Sequence, residues 1–279
     1  MSEIFEMQKK EANQLFCNFI EDNYLDWLNG VEDGPLFIHN VLKNRVFNQN
    51  KADKTLVLVI DNLRFDQWKT LEPVFNKYFV KEKEEIVYSI LPTATQYARN
   101  ALFSGLMPSE IAKKHPQYWK SEDDEGSKNK FEEELLEQNM KRLGKSSLKS
   151  SYHKITNVNA GKKLVEQFHK LKENDINFIV YNFVDMLSHA RTEMEVIREL
   201  ADDESAYRSI TMSWFEHSPL YDIVKKCADS GRKLVLTTDH GTVRVNSPVK
   251  IIGDRATNTN LRYKVGRSLS YKEKDVFQI

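Results

Sequence analysis

The chain has few cysteines, no net charge and no long apolar run, and each shortage closes off a class of function. Among 279 residues only Cys17 and Cys227 are cysteines, and they lie far apart. That leaves no disulfide framework and suits a reducing, cytoplasmic setting. Lysine plus arginine equals aspartate plus glutamate at 41 each. No global field therefore draws in nucleic acid, and any recognition of phosphate has to be local. No apolar stretch is long enough to span a bilayer, and the chain opens on a polar, helix-like segment rather than a signal peptide, so no membrane partner is expected. Internal repeats and low-complexity tracts are also missing. What remains, 40% hydrophobic and 29% charged residues, describes a soluble globular chain with room for one large α/β domain and an appendage.

Apolar residues Ala12, Leu15, Phe16, Phe19 and Ile20 recur at helical spacing, which predicts a helix from Ser2 to about Trp27. Gly30 and the Glu32-Asp-Gly-Pro35 turn stop it. A second helix is expected over about Leu36–Phe47, then a polar linker from Asn48 to Lys54, so residues 1–50 read as a helical connector and 51–279 as the main domain. The run Thr55-Leu-Val-Leu-Val-Ile60 is apolar and β-branched throughout, the mark of a strand buried on both faces of a parallel sheet. Further strands are expected at Ile86–Leu91, Ile176–Phe183, Lys233–Thr237 and Pro248–Ile252, with helical patterns between them. This alternation predicts a doubly wound, mostly parallel α/β sheet flanked by helices. Two stretches interrupt it, at about 111–161, with Trp119 and the acidic run Glu122-Asp-Asp-Glu125, and at about 191–218, with Trp214. Both read as cap insertions.

Groups suited to chemistry follow the strands. Asp61-Asn62 comes after the first, Thr93-Ala-Thr95 and Arg99 after the second, Asp185 and His189 after the third, and Asp239-His240-Gly241 after the fourth. Open α/β sheets bind ligands outside the carboxyl ends of their strands, so residues scattered in sequence are expected to converge there. Each has an ordinary alternative. Asp61 suits a helix N-cap, Asp185 and His189 a pair on one helical turn, Asp239-His240-Gly241 a turn, and Thr93 and Thr95 a strand end. Four successive strand ends supplying only oxygen and imidazole donors argue for a shared site. Such donors suit hard and borderline cations. Two Asp/His clusters suggest two ions, about 3.5–4 Å apart in sites that clamp a phosphoryl group. A threonine between two cations loses its proton more easily than in water and becomes a nucleophile without a histidine base.

The order Asp61, Thr95, Asp185…His189, Asp239-His240 resembles the alkaline phosphatase superfamily, and Pro92-Thr-Ala-Thr95 followed by Ser104-Gly105-Leu-Met-Pro108 is similar in spacing to the nucleophile segment of nucleotide pyrophosphatase/phosphodiesterases. In that register Thr95, not Thr93, takes the nucleophile's position. Ile60-Asp-Asn-Leu-Arg-Phe-Asp-Gln-Trp68, Tyr97-Ala-Arg-Asn100, Asn182-Phe-Val-Asp-Met-Leu-Ser-His-Ala190 and Thr237-Thr-Asp-His-Gly241 resemble the PglZ-type effector domain of PorX-like response regulators. The likeness covers nearly the whole chain. It implies zinc, with Asp61, Thr95, Asp239 and His240 holding one ion and Asp185 and His189 the other. It implies phosphodiesterase activity on nucleotide or short oligonucleotide substrates, a receiver domain ahead of Met1 with its sensor kinase, a possible homodimer, and regulation of type IX secretion. It also implies a histidine beyond Ile279 that completes the second metal site.

Weaker candidates are Arg99, spaced to bind a phosphate oxygen or else to form a salt bridge, and Asn62, a substrate donor or a helix-start residue. Lys128 and Asn129 reach over the site or belong to a solvated loop, and His217 is a stand-in metal ligand or a structural histidine. The rival function is a non-catalytic, metal-stabilised module that dimerises or binds protein partners.

Overall fold

A computed structural model of the chain describes residues 2–31, 33–48, 53–122, 124–243, 245 and 247–278. Of the expected features, Glu32 in the first turn, residues 49–52 of the linker and Asp123 of the acidic run lie outside the described residues. The chain forms two compact units, Met1–Leu36 with Ser247–Ile279, and Phe37–Asn246, which differs from a division at residue 50.

The first unit contains α1 (Ser2–Asn29), two residues longer at its end than the periodicity indicates. Its expected apolar stripe is largely open to solvent: Leu15, Phe16 and Phe19 are exposed. Burial begins lower down, where Tyr24 packs edge-on to Phe277 with ring centres 6.2 Å apart. Gly34 lies so close to Trp27 that an added Cβ would sit 2.8 Å from the indole side chain. Pro248–Ile252 is not a strand. Ile252 makes one antiparallel bridge with Ser270, and a proline start together with exposed Val249 and Ile252 gives a ladder nothing to bury.

The second unit is built in chain order from β1 (Thr55–Ile60), α2 (Phe65–Phe75), α3 (Thr95–Ser104), α4 (Pro108–Lys114), α5 (Glu132–Arg142), β2 (Ser150–Ile155), α6 (Val158–Glu166), β3 (Ile176–Tyr181), α7 (Phe183–Glu193), α8 (Glu195–Leu200), α9 (Glu204–His217), α10 (Pro219–Asp229) and β4 (Lys233–Thr237). Ahead of β1, the expected second helix is a 3-10 turn at Ile38–Asn40 followed by a π-helical turn at Leu42–Phe47. The four strands form one parallel sheet in the order β2-β3-β1-β4. This is the α/β architecture the alternation of elements predicts. β1 and β3, central in the sheet, are buried at every residue, as their unbroken apolar runs require.

Two strand expectations fail for the same reason. Ile86–Leu91 is not a ladder strand; Tyr88 alone bridges to Phe37. The segment follows directly on the charged run Lys81-Glu-Lys-Glu-Glu85, and Ile86 is exposed, so its start has no second face to bury. Conversely β2, inside the stretch read as a cap, is a sheet edge. Its sequence Ser-Ser-Tyr-His-Lys-Ile is polar because only one long edge of the strand is paired. The 191–218 stretch is likewise packed rather than draped. Phe215 of α9 stacks on Phe75 of α2 at 5.1 Å, and Gln67 of α2 donates to the Thr211 hydroxyl of α9 at 2.8 Å. The main core gathers Leu58, Ile60, Leu71, Phe75, Ile179 and Phe215 between sheet and helices.

Candidate metal centre

The strand register sets the site. Val59 pairs with Val180 on one side and Thr237 on the other, so β1, β3 and β4 end level with one another. Asp61 leaves β1 directly, Asp185 sits in the first turn of α7 after β3, and Asp239-His240 follows β4. Asp61, Asp239 and His240 are all buried, and each offers one ligand atom within 4.8 Å of the others. Thr95, the first residue of α3, places its hydroxyl 3.2 Å from Asp61 Oδ1 and 3.0 Å from His240 Nε2.

Backbone and side-chain hydrogen bonds hold this arrangement. Asp239 Oδ1 accepts from the Asn62 amide at 3.1 Å and the His240 amide at 2.9 Å. Thr238 Oγ1 accepts from the Leu63 amide and donates to the His240 carbonyl, tying the end of β4 to that of β1. His240 Nδ1 is 3.1 Å from the Gly241 carbonyl, which can only accept. Nδ1 therefore carries the proton and Nε2 keeps its lone pair toward the cluster. Asn62 adopts φ 59°, a left-handed conformation that turns the chain sharply after β1. Its Nδ2 donates to Asp185 Oδ1 at 3.2 Å and so links the two acidic groups.

The electrostatics invite a cation. Burial pushes the Asp61 carboxyl upward, the neighbouring Asp239 pushes it further, and Arg99 pulls the other way. Two carboxylates buried this close resist being charged together unless positive charge joins them. Asp239 Oδ2 and Asn62 Oδ1 are buried with no hydrogen-bond partner among the described residues. An orphaned carboxylate oxygen beside a free imidazole lone pair and a hydroxyl fits a borderline divalent ion such as zinc.

The remaining sequence candidates are placed as follows. Arg99 is buried; its Nη1 donates to Asp61 Oδ2 at 2.5 Å and its Nε to Glu132. Its guanidinium is therefore divided between two carboxylates instead of facing solution. Lys128 spends its ammonium on the backbone carbonyls of Ser121, Glu122 and Asp124, so it does not reach over the site. Asn129 is buried and donates to the Thr95 carbonyl at 3.0 Å and to Asn100 Oδ1 at 3.2 Å, bracing the start of α3. Asp185 is part-buried and His189 exposed, with His189 Nε2 3.5 Å from Asp185 Oδ2 and Nδ1 3.7 Å from Glu193 Oε1. His217, at the end of α9, donates through Nδ1 to its own helix at Ser213, 2.7 Å away. Glu132 escaped sequence reasoning. It opens an acidic Glu132-Glu-Glu134 run that reads as the solvated start of a helix, yet it is buried against Arg99, Tyr152 and Lys154.

Residues 37–279 match the family model of the BREX-system PglZ alkaline phosphatase-like domain. The chain belongs to the PglZ family. Residues 1–28 match the linker domain of the PorX response regulator, so this PglZ domain follows a segment similar to a response-regulator linker. The curated proteins contain no match. The four-stranded parallel sheet with helices packed against it is the α/β fold that an alkaline phosphatase-like domain requires. Among the described residues no helix is long and apolar enough to cross a membrane.

Proposed function

We propose that this PglZ domain is a zinc-dependent phosphodiesterase acting on nucleotide or short oligonucleotide phosphodiesters, with Thr95 as the nucleophile. The observation that carries the reading is the Thr95 hydroxyl held between Asp61 Oδ1 and His240 Nε2, beside the orphaned Asp239 oxygen. Asp61, Asp239, His240 and the Thr95 oxygen would hold one ion, and Asp185 and His189 a second. Bound zinc supplies Lewis acidity: it lowers the proton affinity of the hydroxyl and offsets phosphoryl charge.

The chain's own residues do the rest. Thr95 sits at the N-terminus of α3, where the first backbone N–H groups and the helix dipole favour an anion. Its oxygen forms a bond to phosphorus as the bond to the leaving alcohol breaks, giving a threonyl phosphodiester that keeps the substrate's second ester group. The hydroxyl proton leaves toward Asp61, its acceptor, and the departing alkoxide takes a proton from water. Water then attacks phosphorus, its hydroxyl passing to the released phosphomonoester and its proton to the threonine oxygen, which restores the hydroxyl. Asn129 keeps Thr95 in place from behind, and Asn62 orients Asp185. In the linker context, an N-terminal receiver domain and its sensor kinase would control the activity.

Zinc analysis and turnover of bis(4-nitrophenyl) phosphate test the reading together. Bound zinc and hydrolysis in the wild type, both lost in Asp239→Ala, support it. Zinc without hydrolysis under any metal loading points instead to a metal-stabilised module that binds partners.

A further inference from the structure

We propose that Glu132 is a positioning residue for the metal cluster: it takes one side of the Arg99 guanidinium and so leaves Asp61 available to a divalent cation. The inference rests on the reading that Asp61, Asp239 and His240 hold an ion. Arg99 presents Nη1 to Asp61 Oδ2 at 2.5 Å and lies 4.0 Å from Asp239 Oδ2. A full positive charge at that distance competes with a dication for the same carboxylates. Glu132 is the counterweight. It stands at the Nε edge of the guanidinium, and its second oxygen accepts from Tyr152 and from Lys154 Nζ at 2.9 Å.

Both Glu132 and Arg99 are 1% exposed, so water screens neither. Within this group the carboxylates Asp61, Asp239 and Glu132 outnumber the cations Arg99 and Lys154 by one. With every carboxylate ionised, as a bound cation requires, the pocket is thus net negative. Neutralising Glu132 removes that margin and leaves the Arg99 charge to Asp61 alone. Because Glu132 opens α5 and Lys154 lies on β2, the segment between α4 and β3 reaches the cluster through charge, without supplying a ligand.

The test is zinc affinity by competition with a chromogenic chelator, with circular dichroism confirming the fold, so that no turnover is needed. Glu132→Gln keeps the shape and an acceptor for Arg99 while losing the charge; zinc binding should weaken about tenfold or more. Glu132→Asp should recover part of the loss. The double variant Glu132→Gln/Arg99→Gln restores the net negative charge and should return affinity to within about threefold of wild type. A purely structural role for Glu132 predicts the opposite, further loss in the double variant. Unchanged affinity in Glu132→Gln, or no recovery in the double variant, overturns the proposal. If Glu132→Gln does not fold, Lys154→Met removes a cation instead and should bind zinc at least as tightly as wild type; weaker binding there also overturns it. A wild type that binds no zinc, or an Asp239→Ala variant that binds it unchanged, defeats the cluster reading and the Glu132 role with it.

Discussion

The two halves of the site, which hang from neighbouring strands, are built in opposite ways. The Asp61, Asp239 and His240 half is buried, and Thr95, Arg99 and backbone amides fix its geometry. The Asp185 and His189 half sits on one face of α7, is 17% and 58% exposed at its two side chains, and is joined to the first through Asn62. Preorganisation is the lesson. Carboxylates forced together out of water are costly without positive charge and so hold an ion tightly, whereas an exposed Asp/His pair surrenders little by releasing one.

The largest expected effect breaks the chemistry itself. Thr95→Val should lower phosphodiester hydrolysis on the order of a thousandfold even at saturating zinc, with the melting temperature near wild type and the buried ion held less tightly for want of one oxygen. Equal loss in Thr93→Val would mean that the wrong threonine has been assigned. Next, Asp239→Asn should weaken the tightly held ion about a hundredfold, read by calorimetric titration, because the substitution removes a buried charge whose second oxygen faces the cluster. Third, His189→Ala should cost about tenfold in activity at limiting zinc, and excess zinc should recover most of it. Wild type should correspondingly show one ion that survives dialysis and one that does not. Two equally tight ions would erase the contrast between the halves, and Glu193, 3.7 Å from His189, would be the first side chain to test.

The smallest effect concerns the link between them. Asn62→Gly keeps the left-handed turn and loses only the bond to Asp185, a change of about 1 kcal/mol or less in stability. Asn62→Ala loses the bond and also strains the backbone, adding about 1 kcal/mol. Thermal unfolding of the pair separates bond from strain. Identical melting temperatures would show that the φ of 59° costs alanine nothing here.

How much of this was legible follows burial. β1 and β3 announced themselves because a strand covered on both faces must be apolar at every residue. β2 stayed hidden because an edge strand tolerates Ser150, His153 and Lys154, and Ile86–Leu91 misled because a short apolar run reads as a strand even where its first residue is exposed and only Tyr88 finds a bridge. Asp61, Asp239 and His240 were recoverable from their positions after strands. Their convergence was not spelled out in sequence; the sheet order, which interleaves β3 and β1, produced it. Glu132 and the division of Arg99 were invisible, since an acidic helix start and an arginine look alike whether they face solvent or each other. Lys128 illustrates the reverse, a cation that suggested a ligand and serves its own loop.

The level ending of β1, β3 and β4 has a consequence for how such a protein can diverge. Deleting one residue from β1 would move Asp61 by about 3.3 Å and turn it to the other face of the sheet, away from Asp239 and Thr95. Insertions between α4 and β2 or between α7 and α10 leave that alignment untouched. New substrates can therefore be reached by lengthening those segments while Asn129, Glu132 and the packed face of α9 are kept, and the strands admit substitution but no change in length.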